Sequence, residues 1–240
     1  MISQADLKQI ASLGQTKYRQ KYAQFLVEGR KVVEEVFHSK LQIDTILVTT
    51  DFFEQFNPGY PCEIISAKDM KRISQFVSPP GVIAVVRKKV NENPKLQKGL
   101  NLVLDGISDP GNLGAILRIA DWYGLTQIWL SDDCVDETNP KVIAASMGSF
   151  IRVDCIRKNE EIWQKSKHIW GADLNGNSLY EVQQPSGEWV LIMGSESHGI
   201  RSNYAQKLTQ RLTIPKIGSA ESLNVSVSTG IIIDRLIHKA

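Results

Sequence analysis

Short apolar runs alternate with amphipathic segments along the chain. In the front part, two segments have the spacing of amphipathic helices, 30–39 and 66–74, and Ser66 stands where the second would need an N-cap. The predicted strands there are 25–29, 43–50 and 81–88. This pattern predicts a small α/β or α+β domain.

After residue 100 the alternation becomes regular. A helical pattern at 111–124 follows the first of several short apolar strands. The predicted strands are 101–105, 127–131, 168–172 and 189–193. Strands that alternate with helices are typical of a mostly parallel sheet covered on both faces. The sequence therefore predicts an α/β fold for this part.

A polar segment separates the two patterns. Residues 86–101 contain Pro94 and many charged and amide side chains, which is typical of a linker. We therefore predict a first domain at 1–90, a linker at 91–100 and a second domain at 101–240.

Composition narrows the class of protein. Of 240 residues, 42% are hydrophobic and 22% are charged, as in soluble globular proteins. No stretch approaches the roughly 18 apolar residues of a membrane span, and the start lacks the apolar core of a signal peptide. We therefore expect a cytoplasmic protein. Residues 1–100 carry a net charge of +5 and residues 101–240 one of −3, which suggests that the front part meets a polyanion.

The metal-binding residue types are sparse. The three cysteines, Cys62, Cys134 and Cys155, are widely spaced and form no CxxC motif, and the four histidines are scattered. These features argue against a disulfide framework and against a zinc site. We expect no metal.

Three glycine-bearing segments carry the candidate chemistry. In the first, 104–124, a strand leads to a turn and a helix, with Asn112 near the helix start and Arg118 in an otherwise apolar stretch. A charge in such a stretch needs a partner or a ligand. The segment lacks the GxGxxG and P-loop patterns, and its glycines also fit a tight turn with a helix cap.

The second segment, 191–200, is an apolar strand that ends at Gly194, followed by a polar loop. The third, 212–236, passes through a glycine-bearing loop to Ser222 and Asn224 at the start of an apolar helix. Loops at the carboxyl ends of parallel strands are common ligand sites. Alone, each also fits an ordinary turn or an N-cap.

Together, the order and spacing of these segments resemble the three signature motifs of the SpoU (TrmH) family of RNA ribose 2′-O-methyltransferases, of the SPOUT class. The resemblance covers residues 101–240. The string KYRQKYAQFLVEGRKVVEEVF at 17–37 is similar to that family's L30e-like substrate-binding domain. The resemblance implies a deep trefoil knot in the second domain, S-adenosylmethionine as methyl donor, an RNA substrate and a homodimer.

The resemblance also implies roles for individual residues. Those matched to the binding of S-adenosylmethionine are Gly194, Glu196, Gly199, Ile214, Pro215, Leu223 and Asn224. Those matched to catalysis are Asn112, Arg118, Glu196, Ser222 and Asn224. Ser197 departs from the family, which often has glycine there, so we expect a changed loop backbone. Because arginine is almost never deprotonated, we expect Arg118 to bind a phosphate or the developing alkoxide.

The stretch 17–22 predicts an RNA contact. It interleaves cations with two tyrosines just before a strand, and Arg30 and Lys31 follow nearby. Cations suit phosphates, and tyrosine rings stack on splayed bases. The predicted RNA-binding residues are Lys17, Tyr18, Arg19, Lys21 and Arg30. The alternative is a solvated loop whose tyrosines pack on their own domain.

Two other functions stay open on the residues alone. A dinucleotide-binding oxidoreductase fits the alternation, and Asp132 or Asp133 could serve as its acidic residue, but GxGxxG is missing. A non-catalytic RNA-binding protein would have a damaged pocket, whereas the polar set is intact here. Among RNAs, the extra front domain favours ribosomal RNA over transfer RNA.

Overall fold

The computed structural model describes residues 2–89, 93–157 and 160–238. The chain forms two compact units. The first contains Met1–Val90 and Asp136–Ile151, and the second contains Asn91–Val135 and Arg152–Ala240. Within the described residues, no helix is both long enough and apolar enough to cross a membrane.

The first unit is built on a four-stranded mixed sheet. Its elements up to residue 87 are α1 (Gln4–Ser12), α2 (Thr16–Tyr22), β1 (Gln24–Glu28), α3 (Arg30–Phe37), β2 (Ile43–Thr49), α4 (Thr50–Phe56), β3 (Glu63–Ile65), α5 (Ala67–Ile73) and β4 (Val82–Arg87). The strand order is β1-β4-β2-β3. β4 is antiparallel to both its neighbours, and β2 and β3 are parallel.

Both faces of this sheet are covered, as the side chains of β4 show. Its side chains alternate between two hydrophobic cores, so that Val82, Ala84 and Val86 face one core, whereas Ile83 and Val85 face the other. Helices α3 and α4 contribute to the first core, and α1 and α5 to the second. A strand buried on both faces reads as a continuous apolar run, which is why the sequence located it.

The second unit is built on a six-stranded parallel sheet. The elements from residue 99 onward are β5 (Gly99–Asp105), α6 (Pro110–Trp122), β6 (Gln127–Leu130), α7 (Pro140–Ser146), a 3₁₀-helix (Ser149–Ile151), β7 (Asp154–Arg157), α8 (Glu160–Trp163), β8 (Ile169–Ser178), β9 (Glu188–Gly194), α9 (Ser202–Ala205), β10 (Gln210–Thr213) and α10 (Val225–His238). The strand order is β10-β8-β9-β5-β6-β7, with every neighbouring pair parallel. The predicted parallel-sheet α/β fold is confirmed.

Helix α7 and the 3₁₀-helix after it belong to the first unit, although β6 and β7 on either side of them belong to the second. Ile143 is part of the core beside β1, and the ring of Phe150 packs edge-on against Phe25 with 5.9 Å between centroids. Lys88 and Glu137 form an ion pair of 2.6 Å in the same unit. Residues 136–151 thus complete the first unit from within the stretch that we predicted as the second domain.

The structure describes only part of the predicted linker. Residues 91 and 92 lie outside the described residues, and residues 93–98 run without regular structure into β5. The predicted boundaries at 90 and 100, like the trefoil knot, stay predictions.

Local capping follows the sequence. Ser66 caps α5, because its hydroxyl accepts a hydrogen bond of 3.1 Å from the Asp69 N–H.

Residues 17–22, predicted only as the approach to a strand, form most of α2.

Candidate active site

The three glycine-bearing segments leave the parallel sheet at one edge. Because all six strands are parallel, their carboxyl ends lie together. β5 and β9 are paired with Asp105 opposite Gly194, so that the turns after them start side by side. Ligands of open parallel sheets bind at this edge. The fold therefore brings the segments to the place where a ligand is expected.

The start of α6 places Asn112. The Asp109 carboxylate caps this helix by accepting a hydrogen bond of 2.8 Å from the Asn112 N–H, and Pro110 occupies the first helical turn. Asn112 is thereby held in the first turn of α6, where its side chain meets both of the other segments.

One carboxylate oxygen of Glu196 joins all three segments. Glu196 Oε1 accepts hydrogen bonds of 3.0 Å from Asn112 Nδ2 and 3.0 Å from Asn224 Nδ2. It also accepts one of 3.2 Å from the Val225 N–H at the start of α10. Asn224 Nδ2 lies 2.8 Å from Asn112 Oδ1 as well. We call Asn112, Glu196 and Asn224 the Asn–Glu–Asn cluster.

Asn224 has two roles. Its Oδ1 caps α10 by accepting hydrogen bonds of 2.9 Å from the Ser226 N–H and 2.6 Å from the Ser226 hydroxyl. Its Nδ2 belongs to the cluster. Plain N-capping, the alternative that the sequence left open, therefore describes the Oδ1 atom of Asn224 but not its Nδ2 atom. The Glu196 carboxylate also lies at the N-terminus of α10, where the helix dipole favours negative charge.

The loop from Ser195 to Gly199 is closed by its own backbone. The Ser195 N–H donates to the Gly199 carbonyl at 3.2 Å, and the Gly199 N–H donates to the Ser195 carbonyl at 2.9 Å. Gly199 has φ +65°, which glycine adopts without strain. A β-carbon at Gly194 would overlap the backbone of Gly199 and Ile200. Ser197 does not have a positive φ, so the loop does not need glycine at that position.

An ion pair between Arg201 and the buried Asp105 carboxylate lies just after this loop, and sequence reasoning missed it. The Asp105 side chain is fully buried, and its carboxylate accepts hydrogen bonds from the Arg201 N–H at 2.7 Å and Nε at 2.5 Å. Arg201 also lies 3.4 Å from Asp133. Burial opposes ionisation of Asp133, but the Ser131 hydroxyl and nearby arginines outweigh it and lower the pKa of Asp133. The feature of the sequence that could have indicated this ion pair is Asp105, an acidic residue at the end of an apolar strand.

The remaining predicted residues make no hydrogen bond to the cluster among the described residues. Arg118 is exposed on α6 and makes no hydrogen bond or ion pair with the residues that the structure describes. Ser222, Leu223 and Pro215 are exposed, and Ile214 is half-buried. Among the described residues, the backbone N–H and C=O groups of Pro215–Leu223 find no hydrogen-bond partner.

These features fit S-adenosylmethionine. An exposed loop with unpaired backbone donors and acceptors, next to the sheet edge, can hydrogen-bond the polar groups of a nucleoside and an amino acid. Gly199 faces open space, since nothing lies within 4 Å of a β-carbon built there. The described residues contain no group of three or more His, Cys, Asp and Glu side chains that could hold a metal ion.

In the first unit, the predicted RNA-binding residues differ in accessibility. Arg19 is only 2% exposed, and its guanidinium pairs with Asp136 at 2.7 Å and with the Leu13 and Gly14 carbonyls at 3.0 and 2.9 Å. Burial opposes ionisation of Asp136, but the hydrogen bonds from Thr138 and the pairing with Arg19 outweigh it and lower the pKa of Asp136. Arg19 is thus turned inward rather than offered to a ligand.

Of the other members of that set, Tyr18 is half-buried and the three cations are exposed. Lys17 and Lys21 are exposed, with their ammonium groups 4.8 and 5.2 Å from the ring centroids of Tyr18 and Tyr22. The two tyrosine rings stack on each other at 6.3 Å. Arg30 is exposed at the start of α3.

Comparison with known proteins extends these observations. The SpoU rRNA Methylase family matches residues 99–234, and the MRM3-like substrate binding domain matches residues 4–84. The 23S rRNA (guanosine(2553)-2′-O)-methyltransferase RlmP of Bacillus subtilis is 30% identical over 227 residues, which cover 92% of this chain and 91% of that protein.

Two solved structures are similar over nearly the whole chain. A putative RNA methyltransferase of the TrmH family from Porphyromonas gingivalis has a TM-score of 0.86 and 35% identity, and 98% of each chain is covered. An AdoMet-bound rRNA methyltransferase from Sinorhizobium meliloti has a TM-score of 0.83 and 26% identity, with 98% of this chain and 95% of that chain covered.

Together with these matches, a parallel sheet whose motif loops meet at one edge identifies an RNA methyltransferase of the SPOUT class. The chain belongs to the SpoU rRNA Methylase family. The predicted resemblance, enzyme class and use of S-adenosylmethionine are confirmed, and the oxidoreductase alternative is wrong. The individual site residues stay predictions.

Proposed function

We propose that this enzyme transfers the methyl group of S-adenosylmethionine to a ribose 2′-hydroxyl of ribosomal RNA. The observation that carries this proposal is the Asn–Glu–Asn cluster, in which one Glu196 oxygen links all three motif segments. Relatives named for ribosomal RNA support the substrate class. Transfer RNA stays the alternative substrate.

The chemistry divides between the donor and the chain. The donor supplies a methyl group that is already activated on a sulfonium. The protein must place the ribose oxygen in line with that methyl group and accommodate the proton that leaves. We assign the holding of the donor to the loops after β9 and β10, which contain Gly194, Glu196 and Gly199 and, in the second loop, Ile214, Pro215 and Leu223.

Arg118 acts on the RNA side. Its exposed guanidinium has no partner in the described part of the chain, so it is free to bind an RNA phosphate or the developing alkoxide. Because the guanidinium stays protonated in proteins, its role is electrostatic rather than that of a base. Ser222, equally exposed, lies in the loop that leads to Asn224 and can hydrogen-bond either substrate.

The proposal includes a homodimer. In the second unit, Trp122 on α6 is 84% exposed and Val227 on α10 is 50% exposed, and α6 and α10 pack together. Covering such apolar side chains by a second copy would remove them from water. Light scattering should give about twice the chain mass of 26.9 kDa, and the mass of a single chain would contradict a dimer.

A cytoplasmic location follows from the proposed ribosomal substrate.

Methyl transfer in vitro tests the proposed function. The purified enzyme is incubated with S-adenosylmethionine carrying a labelled methyl group and, separately, with 23S rRNA, 16S rRNA and bulk tRNA from cells that lack the gene. We expect label in ribosomal RNA, recovered after digestion as a 2′-O-methylnucleoside. Label in tRNA alone would favour the alternative substrate, and a base-methylated nucleoside would contradict the proposed chemistry.

A further inference from the structure

A pocket in the first unit shares no lining residue with the Asn–Glu–Asn cluster or with the other residues assigned above, except Arg30. It is formed by α3, α4 and the turn after α4, which runs from Asn57 to Tyr60. Its volume is about 220 Å³. Pockets for drug-sized ligands span roughly 300–1,000 Å³, so this one suits a smaller group.

Aromatic and guanidinium planes line this α3–α4 pocket. The Arg30 guanidinium carbon lies 4.2 Å from the centroid of the Phe56 ring. The rings of Phe37 and Tyr60 contact each other with 5.1 Å between centroids, and Phe37 is 36% exposed. Exposed aromatic rings and arginine planes are the surfaces on which proteins stack unpaired nucleobases.

Polar groups at the pocket are also suited to a base. Glu34 lines the pocket and is exposed, so its carboxylate can accept hydrogen bonds from the N–H groups of a base edge. Burial, followed by the nearby Cys62 thiol and Glu34 carboxylate, raises the pKa of the Tyr60 hydroxyl. A tyrosine hydroxyl is protonated at neutral pH in any case, so Tyr60, which lines the pocket, can donate a hydrogen bond to a base.

The charge at the mouth points to a nucleic acid. Arg30 and Lys31 are both exposed at the N-terminus of α3, and residues 1–100 carry a net charge of +5. Arg30 lines the aromatic pocket and Lys31 follows it in sequence. A cation beside aromatic rings matches a phosphate next to a base, which is the repeating unit of a single-stranded RNA.

We propose that the α3–α4 pocket binds one unpaired nucleobase of the RNA substrate. The base stacks against Arg30 and the Phe37–Tyr60 pair, its N–H edge meets Glu34, and Lys31 neutralises an adjacent phosphate. This assignment rests on the RNA substrate of the proposed function and adds a second recognition point, distant in sequence from the residues that hold the methyl donor.

Binding of 23S rRNA by full-length variants tests the pocket. Phe37→Ala should weaken the affinity by about 5- to 150-fold, the loss typical of one stacked base, without changing the salt slope. Arg30→Ala should weaken the affinity in the same way, whereas Lys31→Ala should flatten the log–log salt slope by about one unit. Phe76→Ala is the matched control, because Phe76 is 42% exposed in the same unit and does not line the pocket. It should bind RNA as the wild type does.

Two further measurements test whether the pocket recognises the base rather than the ribose-phosphate chain. Wild-type enzyme should prefer a ten-nucleotide oligoadenylate over an abasic ribose-phosphate chain of equal length, and Phe37→Ala should lose most of that preference. Tyr60→Phe should retain it, since stacking survives the loss of the hydroxyl. Thermal unfolding as in the wild type should show that all variants are folded, and their affinity for S-adenosylmethionine should be unchanged.

Failure of the pocket assignment can be distinguished from failure of the proposed function. If wild-type enzyme methylates 23S rRNA but Phe37→Ala and Arg30→Ala bind it with wild-type affinity, the pocket assignment is wrong and the proposed function stands. If Phe76→Ala weakens binding as much as Phe37→Ala does, the pocket assignment is also wrong. If wild-type enzyme neither binds nor methylates ribosomal RNA, both proposals fail.

Discussion

A single oxygen of Glu196 accepts hydrogen bonds from three N–H groups, two from asparagine side chains and one from the backbone of α10. Hydrogen bonds to a charged acceptor each contribute about 1.5–3 kcal/mol. The three hydrogen bonds therefore hold the first, second and third motif segments in one arrangement. The sequence identified all three side chains, but only the fold shows that they touch.

Arg118 is the residue on which turnover should depend most. Its side chain is exposed and has no ion pair within the described residues, so removing it should leave the protein's own packing intact. Arg118→Ala should lower methyl transfer at saturating RNA by about a hundredfold or more, as for the loss of one positioned electrostatic group. Calorimetry should show an unchanged affinity for S-adenosylmethionine.

Arg118→Lys is the informative companion variant. It keeps the positive charge but loses the planar fork that binds two oxygens at once. We expect a turnover between those of the wild type and Arg118→Ala. Near-normal turnover of Arg118→Ala at saturating RNA would rule out the assigned role.

At the scale of elements, the loop Ser195–Gly199 offers a matched pair of glycines. Gly199 and Gly187 both have a positive φ, +65° and +80°, and neither would bring a β-carbon within 4 Å of other atoms. Alanine at either position should therefore lower the free energy of unfolding by about 1–2 kcal/mol through backbone strain.

Only one of these substitutions should affect the methyl donor. Gly199 closes the proposed donor loop, whereas Gly187 precedes β9 at the opposite end of the strand. Calorimetry should show weaker binding of S-adenosylmethionine for Gly199→Ala and unchanged binding for Gly187→Ala. Equal affinity in the two variants would mean that the donor lies elsewhere.

Helix α2 divides into an inward and an outward side. Arg19 fastens it to Asp136, while Lys17 and Lys21 face solvent beside stacked tyrosines. The double variant Lys17→Ala/Lys21→Ala should weaken RNA binding, and the log–log salt slope should flatten by up to about one unit for each phosphate that is no longer neutralised. S-adenosylmethionine affinity should stay the same. A wild-type slope would show that RNA does not reach this helix.

Pairings between distant segments mark the limit of what the sequence could predict. Apolar runs located β4 and the parallel strands, because buried strands leave a continuous hydrophobic pattern. Nothing local indicated that Arg19 pairs with Asp136, 117 residues away, or that Asp105 pairs with Arg201, 96 residues away. Arg19 was predicted to bind RNA because its charge is visible in the sequence and its burial is not.

At the scale of the whole molecule, two compact units carry different parts of the proposed reaction. The second unit contains the Asn–Glu–Asn cluster and the loops assigned to the methyl donor, and the first contains α2 and the α3–α4 pocket assigned to RNA. The first unit is not one continuous stretch, since residues 136–151 complete its core from within the second half of the chain. Deleting either half of the sequence would therefore damage both units.

The most direct test maps 2′-O-methylated riboses in all RNA from cells with the gene and from otherwise identical cells without it. We expect that at least one 2′-O-methyl site in ribosomal RNA disappears without the gene, that wild-type enzyme restores it, and that Arg118→Ala does not. An unchanged set of ribosomal sites, or sites lost only from tRNA, would contradict the claim that this enzyme methylates ribosomal RNA.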